Sequence, residues 1–185
     1  IYAKAADYFP NDFRAFNNAG MVCFEMGKFS DANAWFEKAA NISAGAAQVQ
    51  MNQGLISLID KDYDKANVKF GNAAGVEELD DALAVYYINQ GDVNAAKNSI
   101  GDSASNNAAL AHILSKDYNS AKTTLASITN PDATTYYLMA ILGARTNNDQ
   151  MVTSNLRQAV KMDKSLAKRA LNDKEFSKFN LSNVL

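Results

Sequence analysis

The sequence predicts an all-α fold of stacked antiparallel helix pairs, and three observations carry that prediction. A pattern of small and large residues recurs at a fixed spacing: Gly54 follows Gly20 by 34 residues, and Ala66, Phe70 and Ala73 follow Ala32, Phe36 and Ala39 by the same 34. Each copy divides around a short turn, Gly27-Lys28 in the first and Asp60–Tyr63 in the second. Composition agrees, because 185 residues contain only two prolines and nine glycines, and 48% of them are hydrophobic. Such a chain favours helix throughout and can bury a sizeable core.

The spacing has a physical reason. A small residue at Gly20 or Gly54 lets the first helix of a pair lie close against the second. Ala32 and Ala66 do the same from the other side, Phe36 and Phe70 fill the volume between pairs, and Ala39 and Ala73 let the next helix approach. One such hairpin cannot bury its apolar face alone, so units stack and share a continuous core. A helix–turn–helix unit at a period of ~34 residues resembles the tetratricopeptide repeat (TPR) family. The resemblance implies a TPR-type α-solenoid, a right-handed superhelix of helix pairs with a C-terminal capping segment, in one domain over residues 1–185.

The elements follow in order. Residues 1–12 align on the second helix of a unit, with Tyr2 matching Phe36, Ala5 matching Ala39, and Pro10 at the proline that closes many TPR units. Proline cannot continue a helix. The chain is therefore expected to start inside an earlier repeat, with its parent protein extending further upstream. Repeat one is expected at 13–43 and repeat two at 44–75. Repeat three, at 76–101, turns at Gln90-Gly91-Asp92 and places Ala84, Ala96 and Ile100 at the small, small and large positions. Repeat four, at 102–130, is compressed. Asp117-Tyr118 repeats the Asp62-Tyr63 turn, Ala121 and Leu125 take the packing positions, and the turn-rich Gly101–Asn107 trims its first helix. Repeat five, at 131–163, opens on Pro131 as a first-turn proline and runs through Tyr136, Ala140, the turn Asn147-Asn148-Asp149, Leu156 and Ala159. The cap, at 164–185, reads as two helices, Ser165–Leu171 and Asp173–Phe179. Asp173 is the N-cap of the second, and Leu166, Leu171, Phe176 and Phe179 form the docking side.

Several function classes are set aside. A formal net charge of −2 and a pI near 5.4 lack the basic excess of a nucleic-acid binder. No apolar run reaches the ~18 residues that span a bilayer, so no membrane insertion is expected. The most apolar stretch, Tyr136–Ala144, is short and sits where a repeat helix belongs. Cys23 is the single cysteine, which excludes an intrachain disulfide. Asp60-Lys61-Asp62-Tyr63-Asp64 imitates the start of a calcium loop, but Lys65 and Gly71 stand where the loop needs glycine and a bidentate glutamate. Those acids read instead as turn and N-cap residues. His112 and Cys23 fall at inter-helix packing positions with no titratable partner in a recognisable pattern, and both read as core. No catalytic residue, metal site or cofactor is expected.

In the family, the first helix of each unit lines a concave groove. The resemblance then implies partner-binding positions residue by residue: Arg14, Asn17, Met21, Phe24 and Glu25 in repeat one, and Gln48, Met51, Leu55, Leu58 and Ile59 in repeat two. Repeat three contributes Glu78, Asp81, Val85, Ile88 and Asn89, and repeat four Asn106, Leu110, Ile113 and Leu114. Repeat five contributes Thr134, Tyr137, Ile141 and Arg145. This face is more apolar than a solvated one needs to be, and an exposed apolar strip marks a recognition surface. One TPR subclass grips chaperone C-termini with a Lys–Asn / Asn / Lys–Arg clamp. Asn17, Met21 and Leu55 stand at the clamp positions here, so chaperone docking is not expected.

The expected function is a non-enzymatic scaffold that binds a peptide, helix or partner domain in this groove, mainly by apolar contacts. The alternative is a self-associating module that uses the same face as a homo-oligomer interface. A looser resemblance, to TPR proteins of the Bacteroidetes cell envelope, rests on the Asn/Ala-rich style, the Gly-Asp and Asp-Tyr turns and the compressed fourth unit. It sets the expected location as periplasmic or envelope-associated in a Gram-negative bacterium.

Overall fold

The structure, a computed structural model, describes residues 2–76 and 78–181, with side chains from Lys4 onward. The described chain is helix joined by short turns: α1 Tyr2–Tyr8, α2 Phe13–Glu25, α3 Phe29–Ile42, α4 Ala47–Ile59, α5 Tyr63–Gly71 and α6 Leu79–Asn89. Then come α7 Val93–Ser99, α8 Asn106–Leu114, α9 Tyr118–Ser127, α10 Ala133–Arg145, α11 Asp149–Met162, α12 Ser165–Asn172 and one 3-10 turn, Lys174–Phe176. The fold is all-α and of TPR type, and the described residues contain no strand. No helix among them is long and apolar enough to cross a membrane. The chain forms two compact units, Ile1–Tyr86 and Tyr87–Leu185.

In the first unit α2 pairs with α3 and α4 with α5, and the periodic residues are the reason. Ala32, Phe36, Ala39, Ala66 and Ala73 have no more than 2% of their surface exposed, as has Phe70. A Cβ built on Gly20 would lie 2.4 Å from the Phe36 ring, and one on Gly54 would lie 2.7 Å from the Phe70 ring. The glycine is thus the floor on which the ring of the second helix rests. It recurs 34 residues on because the same contact recurs. Ala5, aligned with Ala39, lies half-buried on α1, whereas the side chain of Tyr2 lies outside the described residues.

All five hairpin turns share one backbone device. Gly27, Lys61, Gly91, Lys116 and Asn147 each take a positive φ, between 54° and 75°. The following amide then donates back five residues to close the first helix: Lys28 to Cys23 O, Asp62 to Ser57 O, Asp92 to Tyr87 O, Asp117 to His112 O and Asn148 to Gly143 O, all at 2.8–2.9 Å. The residue that makes this bond also N-caps the second helix. Asp62, Asp92, Asp117 and Asn148 accept from the amide three residues on, and Lys28 has no side-chain cap bond. Lys28→Asp is accordingly expected to stabilise the first unit by about 1 kcal/mol, the ordinary worth of an N-cap. Urea unfolding of the two chains side by side measures it, and an unchanged midpoint would refute the cap assignment.

In the second unit α8 pairs with α9 and α10 with α11, around a core that includes Ile113, Ala121, Leu125, Leu142, Val152, Leu156 and Ala159. The compression is shared more widely than the sequence suggests. The first helix of the fourth hairpin is trimmed to nine residues, and α7 ahead of it is only seven. Two details differ at the ends of the fifth hairpin and the cap. Pro131 precedes the helix instead of sitting in its first turn, because Asp132 is the N-cap and forms a reciprocal capping box with Thr135. The segment after Asn172 is a single 3-10 turn capped by Asp173, not a second helix. Leu166 and Phe176 dock as expected, but Leu171 is 68% exposed and takes no part in the docking side.

Candidate functional site

In the first unit, α2 and α4 lie side by side. They are tied by a buried hydrogen bond in which Asn52 Nδ2 donates to Asn17 Oδ1 at 2.9 Å. Asn17, expected in the groove, is therefore an internal strut, only 7% exposed. Arg14 is exposed, but its guanidinium is spent on Asp12, with Nη2 2.7 Å from Oδ2. Its hydrogen bonds hold the Asp12 carboxyl below the usual carboxylate range. Glu25 and Gln48 are exposed, and Met21 and Leu55 are half-buried. Met51 and Leu58 are 6% and 7% exposed, inside the cluster around Ala66 and Phe70. They are core residues and leave no surface for a partner, because at these two positions, two turns apart, α4 packs into the cluster around Ala66 and Phe70. Further along these helices Phe24 is half-buried, while Met26 at the end of α2 is 62% exposed and Ile59 at the end of α4 is 44% exposed.

On α6, Asp81 and Val85 are half-buried in the first unit, and Asn89, in the second, is exposed. In the second unit Asn106 is turned to the neighbouring helix start, its Nδ2 donating to Asp132 Oδ1 at 3.1 Å. Leu110 packs half-buried on the core. Of the four positions of the fifth hairpin, Thr134 is exposed and the other three are not open. Tyr137 and Ile141 are 2% and 9% exposed, and Arg145 is half-buried.

Residues of the chain's own C-terminal segment meet Tyr137 and Arg145. The Tyr137 hydroxyl donates to Asp173 Oδ2 at 2.8 Å, and its ring meets Phe176 edge-on at 5.5 Å. The Arg169 guanidinium lies 4.9 Å from the ring centroid. Burial first, and the Asp173 carboxylate second, push the Tyr137 hydroxyl well above its ordinary range, so it stays a donor at any physiological pH. Arg145 grips Glu175 with two nitrogens, Nε lying 3.0 Å from Oε2, while Nη1 donates to the Ile113 carbonyl at 2.9 Å. The sequence gives the face on which these residues lie. It holds no signal for their occupant, which arrives from 30 to 36 residues away.

The second unit also has a polar cleft of about 450 Å³, lined by Gly101–Ala104 and by His112, Ser120, Thr123 and Thr124 among others. It lies where the trimmed turn exposes the polar side of α9. His112 is largely buried, with Nδ1 shielded from solvent, without a hydrogen-bond partner and 3.9 Å from Asp117 Oδ2. Burial lowers the imidazole from its ordinary 6.5, Asp117 partly opposes this, and Lys97 adds to it. The Lys97 ammonium, 2.7 Å away, and the Ser120 donors hold Asp117 at about 2. The fold thus prefers neutral His112 and ionised Asp117. Stability from the histidine is fully present above about pH 6.5 and is lost as pH falls through its lower folded value. Stability from Asp117 is lost below 3.8, on the way down to about 2. Acidifying from pH 7 to pH 5 should therefore lower the melting point of the chain, and His112→Gln should flatten that slope while leaving the loss below pH 4. Equal slopes in the two chains would mean that His112 is not desolvated.

A family model described as tetratricopeptide repeat matches residues 13–45. No curated protein sequence matches the chain. Among solved structures, the chain is similar to YrrB, described as a TPR protein with an unusual peptide-binding site. The identity is 18%, with 94% of this chain and 98% of that one covered and a TM-score of 0.54. It is also similar to a tetratricopeptide repeat protein from Parabacteroides merdae at 13% identity, covering 91% of this chain and 73% of the other, with a TM-score of 0.69. A third likeness is to PilW, a type IV pilus biogenesis factor, at 13% identity and 94% and 85% coverage, with a TM-score of 0.63. At these identities the likenesses concern the fold.

Proposed function

We propose that this chain, which carries a tetratricopeptide repeat at residues 13–45 and a TPR-type fold, is a non-enzymatic scaffold that binds a protein or peptide partner. The observation that carries the reading is the pair α2 and α4. Their C-terminal halves leave apolar side chains (Met21 and Phe24 on one, with Met26 as its C-cap, and Leu55 and Ile59 on the other) half-buried or exposed on neighbouring helices. Leaving such residues in water gains nothing for a monomer, whereas covering them gains ~25 cal/mol per Å². Arg14 is neutralised by Asp12, so binding here is apolar and responds weakly to salt. A peptide, a helix or the surface of a partner domain fits this chemistry, and an envelope location is part of the same reading.

The test uses the two most exposed of these residues, whose replacement spares the core. Met26→Asp with Ile59→Asp should keep the helical circular dichroism of the parent and lose a partner that the parent captures at both low and high salt. If the doubly changed chain still captures that partner, the face is wrong. Sedimentation of the parent at several concentrations separates the alternative, because dimerisation abolished by the same two changes would make the face a homo-oligomer interface.

A further inference from the structure

We infer that the α10 face of the second unit is a recognition site for an acidic–aromatic peptide segment, and that residues 173–176 occupy it in cis. The site consists of Tyr137 and Arg145 of α10 together with Arg169 of α12, the helix that leads into the segment. Together they offer a hydroxyl donor, a forked cation, and an aromatic ring held under a second cation. The occupant reads Asp173-Lys174-Glu175-Phe176 and presents one matching group to each feature. A carboxylate meets the Tyr137 hydroxyl, a second carboxylate meets Arg145, and a phenyl ring meets the edge of Tyr137. Tyr and Arg anchors with a buried aromatic partner are the composition of an interface hot spot, and the bidentate charge-assisted pair fixes register.

Two further observations separate a docked peptide from a permanent piece of the fold. Among the described hydrogen bonds, the segment's backbone amides bond only within itself and its own approach. Asp173 donates to Ala170 O, Glu175 to Asp173 Oδ1, Phe176 to Asp173 O and Phe179 to Phe176 O. Its described polar ties to α10 run through side chains alone, so it can leave without breaking a helix. One anchor of the site, in contrast, has a hold that does not depend on the segment, although Phe176 itself is buried in the same cluster as Tyr137. Arg145 Nη1 is held by the Ile113 carbonyl of α8, which keeps the guanidinium aimed when Glu175 departs. A pre-organised cation loses less on binding a replacement carboxylate. The partner is thus a segment of another protein with an acid, a second acid two residues on and an aromatic directly after it, and the chain's own copy sets the threshold that partner must exceed. The inference concerns the second unit only, so it stands or falls separately from the α2–α4 face.

The experiment uses the full chain, with a dye-labelled synthetic peptide of residues 171–181 as probe. Glu175→Arg sets two guanidiniums against each other and releases the segment in cis. The peptide should then bind the Glu175→Arg chain at least ten-fold tighter than the unsubstituted chain, and adding Arg145→Glu to that chain should abolish binding. A Glu175→Arg chain that keeps its native circular dichroism and binds no tighter overturns the inference, as does binding indifferent to Arg145→Glu. If Glu175→Arg unfolds the chain, hydrogen exchange of the unsubstituted protein decides. The amides of Glu175, Phe176 and Phe179 should exchange at least a hundred-fold faster than those of Leu138–Ala144, and equal rates would make the segment a permanent part of the fold.

Discussion

Replacing Phe70 by alanine is expected to cost about 3–5 kcal/mol, a large share of the ~5–15 kcal/mol that holds a domain of ordinary stability. The ring is 2% exposed and touches three elements of the first unit at once. It lies over Gly54 on α4, projects from α5, and meets the Tyr86 ring of α6 edge-on at 6.2 Å. Tyr86 in turn meets Tyr63 at 6.3 Å, so removing Phe70 also takes away one wall of an aromatic row. Glycine below and a fixed ring beside it cannot collapse into the void, which places the cost at the upper end. Trp35 is the chain's single tryptophan and lies in this unit, so its fluorescence follows the relevant transition. Hydrogen exchange should quicken in α4, α5 and the Leu79–Tyr86 part of α6 together. Faster exchange in α5 alone would contradict the shared packing.

The parts of the fold that sequence reasoning reached are those in which a contact repeats. Ala32 and Ala66, or Phe36 and Phe70, can be matched because the same helix approach recurs with the same side chains, and burial at these four positions follows. The turns were legible in place but not in detail. Gly27 and Gly91 advertise a left-handed residue, yet Lys61 and Lys116 adopt the same conformation with nothing in their chemistry to announce it. They do so because the bond that closes the first helix and the N-cap that opens the second fix the backbone from both sides.

The candidate faces were legible only to the level of the helix. Position within a repeat gives the side of α4 that carries Met51, Leu55 and Leu58, but whether each is surface or core depends on how closely α5 and α6 approach. Hence Leu55 remains half-exposed between two residues that are buried. For Tyr137 and Arg145 the deciding contacts are Asp173, Glu175 and Phe176, from a segment whose pattern promises a helix and whose structure is one turn. No local rule connects them. Side-chain complementarity across 30 to 36 residues is readable only once the chain is folded.

Gly54→Leu is expected to cost ~1–3 kcal/mol or more, against a helix-propensity gain of at most about 1 kcal/mol, so that overpacking wins. A Cβ at Gly54 would meet Phe70 Cε1 at 2.7 Å and Cδ1 at 2.9 Å. Those atoms belong to a buried ring, not to the free end of a flexible chain. The helices must therefore separate, and every neighbour of Phe70 loses contact. Gly20→Leu should be worse, since the corresponding distance to the Phe36 ring is 2.4 Å. The contact itself can be isolated by a double-mutant cycle. In the Phe70→Ala chain the leucine enters space the ring has vacated, so its cost should vanish or reverse, giving a coupling of ~0.5–3 kcal/mol. Equal costs of Gly54→Leu in the two backgrounds would mean that the glycine is required for some reason other than the ring it supports.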